Sequence, residues 1–171
     1  MRKLLFLALI TVSAQASIQN IQYFEANFTQ NIVDDKNKTI TYKGYVKAAK
    51  PQYALWQYKS PVNKQVYILP HKIIVVEPEL EQAIIKRLGN NFDFFSLMKN
   101  ATKIDKQHYI ANFREKKYLL TMDKDRLISI SYKDEFDNSI NIEFTNEKID
   151  KKIEKKSFIP KIPKDYDLIR E

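Results

Sequence analysis

The sequence has no cysteine among its 171 residues and only two glycines, Gly44 and Gly89. The absence of cysteine excludes disulfides, zinc–thiolate sites, cysteine nucleophiles and a lipid-modified cysteine. Phosphate-binding loops and dinucleotide fingerprints need several closely spaced glycines, so these motifs are excluded as well. The two histidines, His71 and His108, are isolated in the sequence and do not predict a metal site. We therefore expect no metal, no cofactor and no catalytic residue.

The positive charge consists mostly of lysine. Lys and Arg number 29 against 21 Asp and Glu, which gives a net charge of +8. Arginine is the residue of forked phosphate recognition, whereas lysine is a hydrated point charge, so we expect no nucleic-acid partner. The densest lysine cluster lies between Lys148 and Lys164, where Ile153 and Phe158 interrupt it. It is therefore not typical of a disordered tail. A solvated surface and a basic face toward anionic lipid or an acidic partner both remain open.

The first sixteen residues have the pattern of a secretory signal peptide. A basic start, Met1-Arg2-Lys3, precedes an apolar run over 4–12 and the small-x-small site Ala14-Gln15-Ala16. The run is shorter than the ~20 residues that a membrane-spanning helix needs. We expect residues 1–16 to be removed and residues 17–171 to form a single domain in the bacterial periplasm. A buried N-terminal helix and release to the extracellular space are the alternatives.

Alternating apolar residues predict a mainly β protein. About ten short strands in meander order are expected, over residues 24–32, 40–48, 52–58, 66–69, 73–76, 81–87, 109–113, 118–122, 128–132 and 140–144. A sheet of that many strands must curl. Curling over short helices gives an unclosed antiparallel β-barrel, with a helical lid over an apolar cavity that is suited to a ligand.

The segment 92–98 predicts the helix of this lid. Phe92, Phe94 and Phe95 cannot all face one side of a helix. The helix is therefore either packed between two surfaces or placed over a cavity, and an ordinary core helix is the alternative.

Lys50 is unusual because it continues the apolar face of a predicted strand. It has the same parity as Val46 and Ala48, so its ammonium is expected to point inward at the rim, where it needs acceptors. A strand-end lysine that reaches back to water is the alternative.

Four segments together resemble the outer-membrane lipoprotein carrier family, LolA. Residues 24–30 read F-E-A-N-F-T-Q, similar to the family's F-x-A-x-F-x-Q start. The other three are Gly44 followed by Lys50-Pro51 and Trp56, the turn Glu77-Pro78-Glu79-Leu80-Glu81-Gln82, and Phe94–Met98 at the place of the family's lid helix. Where the family carries an aromatic residue three positions after the proline, this sequence has Ala54, with Tyr53 beside it.

The resemblance implies a monomeric periplasmic carrier without catalysis. It would bind the acyl chains of lipoproteins released by an inner-membrane ABC transporter and deliver them to an outer-membrane acceptor. That acceptor is itself a lipoprotein, so the lack of cysteine excludes it as an identity for this chain. Lys50 takes the position of a lid latch. The residues expected to bind acyl chains are Phe24, Phe28, Val46, Ala48, Trp56, Ile68, Phe94, Phe95, Leu97 and Met98.

Two other functions are compatible with the same sequence. The first is a periplasmic sensor or chaperone that uses the same half-barrel to bind another lipid or a protein tail. The second is an exported lipid hydrolase, which would need a nucleophile and a base, and no such pair is apparent. The clustered carboxylates at 77–81 are better explained as a solvated turn.

The signal-peptide pattern makes a direct prediction. Intact mass spectrometry of the protein from the periplasm of its host should give a chain that begins at Ser17. A cytosolic pool that retains Met1 would contradict export.

Overall fold

The computed structural model describes residues 20–87, 94–113 and 115–171. The signal-peptide prediction and Phe92 lie outside these ranges. The strands are β1 (Tyr23–Val33), β2 (Thr39–Ala49), β3 (Tyr53–Ser60), β4 (Lys64–Leu69), β5 (Lys72–Glu77), β6 (Gln82–Arg87), β7 (Thr102–Lys103), β8 (His108–Phe113), β9 (Lys116–Asp123), β10 (Arg126–Lys133), β11 (Ser139–Ile149) and β12 (Asp167–Arg170). The helix α1 is Phe94–Lys99, and 3₁₀ turns cover Pro78–Leu80 and Lys155–Phe158. None of the helices in the described ranges has both the length and the apolar content to cross a membrane.

All twelve strands form one open sheet in the order β12-β6-β5-β4-β3-β2-β1-β11-β10-β9-β8-β7. The expected meander is therefore wrong in one respect: β1 lies in the middle, paired with both β2 and β11. Between β6 and β7 the chain passes from one end of the strand order to the opposite edge of the sheet. The helix α1 lies in this connection. The expected all-antiparallel pairing also has one exception, because β12 runs parallel to β6.

The sheet is strongly curled. In a flat sheet β4 and β9, six strand positions apart, would lie about 29 Å from one another at a spacing of about 4.8 Å. Yet Ile68 of β4 and Tyr118 of β9 line the same cavity. The predicted fold class, a mainly β protein with an unclosed, curled sheet and a small helical element, is confirmed.

The concave face carries the larger core. Strands with a period of two direct alternate residues to this face, so Phe24, Phe28, Leu120 and Phe144 are buried there. The side chains of α1 complete the core. The helix thus covers a surface that no second sheet covers in the described part of the chain.

A second core lies on the convex face of β2–β6. Leu55, Tyr67 and Ile74 point outward from the sheet and are buried under the segment 150–166. This segment is attached by Ile153 and Phe158, with Ile162 and Tyr166 packed at the margin. The lysine cluster therefore belongs to a segment that is anchored to the sheet by apolar side chains.

Phe158 is predicted to hold this segment to the sheet. Its exposed fraction is 2%, whereas that of the adjacent Ile159 is 63%. Replacement of a buried phenylalanine by alanine costs about 3–5 kcal/mol, so Phe158→Ala should lower the melting temperature by on the order of 10 °C.

Ile159→Ala is the matched control and should change the melting temperature little. Equal thermal shifts in the two variants, measured by circular dichroism, would contradict this account of the outer core.

Candidate functional site

A cavity of about 190 Å³ lies on the concave face, between the sheet and α1. Strands from both halves of the sheet contribute to its wall. Its lining is Gln30, Trp56, Tyr58, Val66, Ile68, Phe94, Leu97, Tyr118, Ile130, Tyr132 and Ile142. Two wider grooves, of about 660 and 680 Å³, have lysine and amide side chains in their lining, and the first also has Glu115, Asp134 and Asp137. An apolar ligand fits the concave cavity best because aliphatic and aromatic side chains dominate its wall.

The structure divides the predicted acyl-binding residues into two groups. Trp56, Ile68, Phe94 and Leu97 lie on the cavity surface. The others belong to the packed core around the cavity: Phe24, Phe28, Val46, Ala48, Phe95 and Met98. Strand parity predicted a shared face for Val46 and Ala48 and alternation within residues 24–32, and all of the strand residues among them lie on the concave face. It did not distinguish side chains that face the cavity from those packed behind it.

Several lining residues were not predicted from the sequence. Gln30, Tyr58, Tyr118 and Tyr132 all lie on the cavity side of their strands. The signal was present, because each lies two positions from an apolar residue of the concave face in its own strand. Such alternation indicates the face on which a side chain lies, but it does not indicate which side chains of that face border a cavity.

Gly44 allows Phe28 to lie close against the sheet. A Cβ atom at Gly44 would come within 2.7 Å of the Phe28 ring and 2.1 Å of the Gln57 carbonyl oxygen. The Phe28 ring is then placed 5.0 Å from the centroid of Trp56 and 5.1 Å from that of Tyr58, in edge-to-face contacts. The glycine therefore sets the position of the aromatic wall.

The helix α1 is buried on more than one side. Phe94 lies 4.9 Å from Phe24 of β1 and 5.5 Å from Phe95, ring centroid to centroid. Phe95, Leu97 and Met98 are each at most 4% exposed. The helix therefore both packs in the core and covers the cavity, which combines the two possibilities that the phenylalanine cluster left open.

Lys50 lies against the same helix. Its Nζ is 5.8 Å from the centroid of the Phe95 ring, within the ~6 Å range of a cation–π contact. Lys50, which directly follows β2, therefore contacts an aromatic ring of α1.

Tyr53 and Ala54, which begin β3 after Lys50, face opposite sides of the sheet. Ala54 is buried on the concave face. Tyr53 points to the convex face, where its ring lies 5.7 Å from that of Phe158. The adjacent tyrosine therefore does not take the place of an aromatic residue at position 54 on the cavity side.

Hydroxyl and amide groups form one part of the cavity wall. The Tyr58 hydroxyl donates a hydrogen bond to Gln30 Oε1 at 3.0 Å. Burial, with smaller effects from the phenols of Tyr132 and Tyr42, raises the pKa of Tyr58 above its usual value. Burial, and then Tyr118, raises the pKa of Tyr132 to about 12. Both phenols therefore remain protonated donors at neutral pH.

The clustered carboxylates at 77–81 lie in the turn between β5 and β6. The Glu77 carboxylate accepts a hydrogen bond from Gln82 Nε2 at 2.6 Å, and Glu79 is exposed. Within residues 20–87, 94–113 and 115–171, no three metal-binding side chains lie close enough to hold an ion.

Comparison with known proteins links this architecture to one family. The family model described as "Outer membrane lipoprotein carrier protein LolA" matches residues 19–122. A Campylobacter jejuni protein named outer-membrane lipoprotein carrier protein is 38% identical over 151 residues, 88% of each chain. A Wolinella succinogenes protein of the same name is 33% identical over 159 residues, 92% of each chain.

A solved structure shows the same fold. The crystal structure of an uncharacterized conserved protein from Thermus thermophilus superposes with a TM-score of 0.57 at 9% identity, covering 90% of this chain and 93% of that one.

Proposed function

The chain belongs to the outer-membrane lipoprotein carrier family, LolA, and we propose on that basis that it holds lipoprotein acyl chains in the concave cavity and carries them through the periplasm. The observation that carries this proposal is the apolar cavity between the curled sheet and α1, with Trp56, Ile68, Phe94 and Leu97 on its surface. Transfer from water to such a surface stabilises a bound chain by about 0.8 kcal/mol for each buried CH₂ group.

The cavity has to enlarge when cargo binds. Its volume of about 190 Å³ is below the roughly 300–1,000 Å³ that is usual for small-molecule sites. The helix α1 forms the movable wall. It is only six residues long, whereas each strand of the sheet is hydrogen-bonded to its neighbours. Cargo release requires the closed and open states to differ by little in free energy, so that a partner can shift their populations.

The proposed route of the cargo has two ends. An inner-membrane ABC transporter supplies the released lipoprotein and an outer-membrane acceptor receives it. The protein works as a monomer of residues 17–171 after removal of residues 1–16, and it catalyses no reaction. Carriage of acyl chains needs an apolar cavity and a cover, and the concave cavity with α1 beside it supports this proposal.

Ile68 provides a test of the cavity. Ile68→Glu places a carboxylate in a wall where aliphatic and aromatic side chains dominate, and burying that charge is costly. It should weaken binding of a diacylated lipopeptide roughly tenfold or more, measured by the emission of Trp56, the sole tryptophan. The wild-type protein should also gain thermal stability with the lipopeptide, because the ligand binds the folded state.

Leu69→Glu is the matched control, since Leu69 is the next residue of β4 and packs on the convex face. It should retain wild-type affinity. If saturating lipopeptide changes neither the emission nor the melting temperature of the wild-type protein, the carrier function is rejected.

Lys50 is proposed to act as a latch on α1. Its ammonium lies over the Phe95 ring, and removal of the charge in Lys50→Leu should favour the open position of the helix. The expected result is faster amide hydrogen exchange in α1, by about two- to fivefold for a contact of about 0.5–1 kcal/mol.

Lys50→Arg should preserve slow exchange, because a guanidinium also packs on an aromatic ring. Lys43→Leu, a change on the exposed face of β2, is the control. An unchanged rate of amide hydrogen exchange in α1 of Lys50→Leu would show that Lys50 does not act as a latch.

A further inference from the structure

The single buried polar side chain in the core of the described residues is Gln30, which is 8% exposed. It occupies a concave-face position between apolar neighbours: Phe28 and Ile32 precede and follow it on the same face of β1. An apolar residue would pack there without the cost of burying an amide. The presence of an amide therefore needs an explanation other than packing.

The hydrogen bond to Gln30 leaves its amide nitrogen available. The Tyr58 hydroxyl occupies Gln30 Oε1 at 3.0 Å, and this contact fixes the orientation of the amide group. No described residue accepts a hydrogen bond from Gln30 Nε2, which carries two N–H donors. Gln30 lines the cavity, so these donors are available to a molecule inside it.

Tyr132 adds a donor on the same part of the wall. Gln30 pairs with Ile142 of β11, and Ile140, two residues earlier, pairs with Tyr132 of β10. The Tyr132 hydroxyl likewise makes no hydrogen bond to another described residue. Its high pKa keeps it protonated at neutral pH.

The polar groups lie toward one end of the cavity. Gln30, Tyr58 and Tyr132 lie toward the strand ends where β1 stops at Val33, whereas Phe94 contacts Phe24 near the start of β1. A ligand with an apolar tail and a polar junction matches this gradient. Its tail would lie under α1 and its junction would lie beside the donors.

We propose that Gln30, Tyr58 and Tyr132 form a polar collar that recognises the ester carbonyl oxygens joining the acyl chains to the glyceryl-cysteine head of a lipoprotein. Gln30 Nε2 and the Tyr132 hydroxyl donate to the carbonyl oxygens, and Tyr58 positions the Gln30 amide. An ester carbonyl only accepts hydrogen bonds, and the collar presents donors to it. The inference rests on the proposed carriage of acyl chains and specifies which part of the cargo is recognised by polar contacts.

The test compares two lipopeptides that differ only in the linkage. One has two ester-linked palmitoyl chains on its glyceryl-cysteine head, and the other has ether-linked hexadecyl chains, which lack the carbonyl oxygens. Titration followed by Trp56 emission should show that the wild-type protein binds the ester form about two- to tenfold more tightly, as expected for one or two neutral hydrogen bonds. Gln30→Leu and Tyr132→Phe should each bring the ratio of the ester-form to the ether-form affinity toward one.

Thr29→Val is the control, because Thr29 lies on the opposite face of β1 and the change preserves its shape. It should retain the wild-type ratio. Tyr132→Phe removes only a hydroxyl, so it keeps the test decisive if Gln30→Leu does not fold.

The outcomes separate this inference from the function on which it rests. Equal wild-type affinities for the ester and ether forms overturn the collar and leave the carrier function intact, as does a ratio that persists in both variants. If neither form binds the wild-type protein, the carrier function and the collar are both overturned. A diacyl phosphatidylglycerol of the same chain length shares the ester chemistry, and tighter binding of this lipid than of the lipopeptide would overturn lipoprotein as the source of the carbonyls.

Discussion

The structure depends on one constraint: a curled sheet must keep water away from its concave face, and the described part of the chain forms no second sheet to cover it. A β-sandwich solves this problem with two facing layers of side chains. Here a six-residue helix and a set of large aromatic rings meet the same requirement. A short helix cannot fill a broad concave surface completely, so a cavity remains beside it. The cavity is thus a direct consequence of how the core is closed.

The convex face of β2–β6 is covered by a chain segment with little regular structure. The segment 150–166 lies over β2–β6 and buries its apolar side chains against the sheet, where Tyr53 and Phe158 pack together. This outer core contains no residue of α1. The two cores are therefore covered differently: a folded chain segment covers the outer core, and α1 covers the inner core.

Local periodicity was sufficient to predict most of the strands and the curled sheet. The alternation through β1 and β2 assigned Phe28, Val46 and Ala48 to one face, which the structure also shows. The same parity placed Lys50 toward the interior, and its ammonium does reach the ring of Phe95. These features depend on a period of two within one strand, which a sequence displays directly.

Features that depend on partners distant in sequence were not predictable in this way. The central position of β1 depends on its pairing with β11, more than a hundred residues later. All four residues of β12 are exposed, so they carry no alternation that would mark a strand. Gln30 belongs to the F-x-A-x-F-x-Q pattern, but its hydrogen bond from the Tyr58 hydroxyl joins two strands that are not adjacent, which the pattern does not show.

The open sheet also has two edges, and their form bears on how the protein tolerates crowding. An exposed strand edge offers unpaired backbone groups to other chains and promotes edge-to-edge aggregation. The β7 edge is two residues long, and the β12 edge is four residues long with Asp167 and Arg170 at its ends. Lys86 and Glu171 form an ion pair at 2.5 Å next to the β12 edge. Short, charged edges give an incoming strand little to pair with, so the sheet can stay open along one side without becoming a template for fibrils.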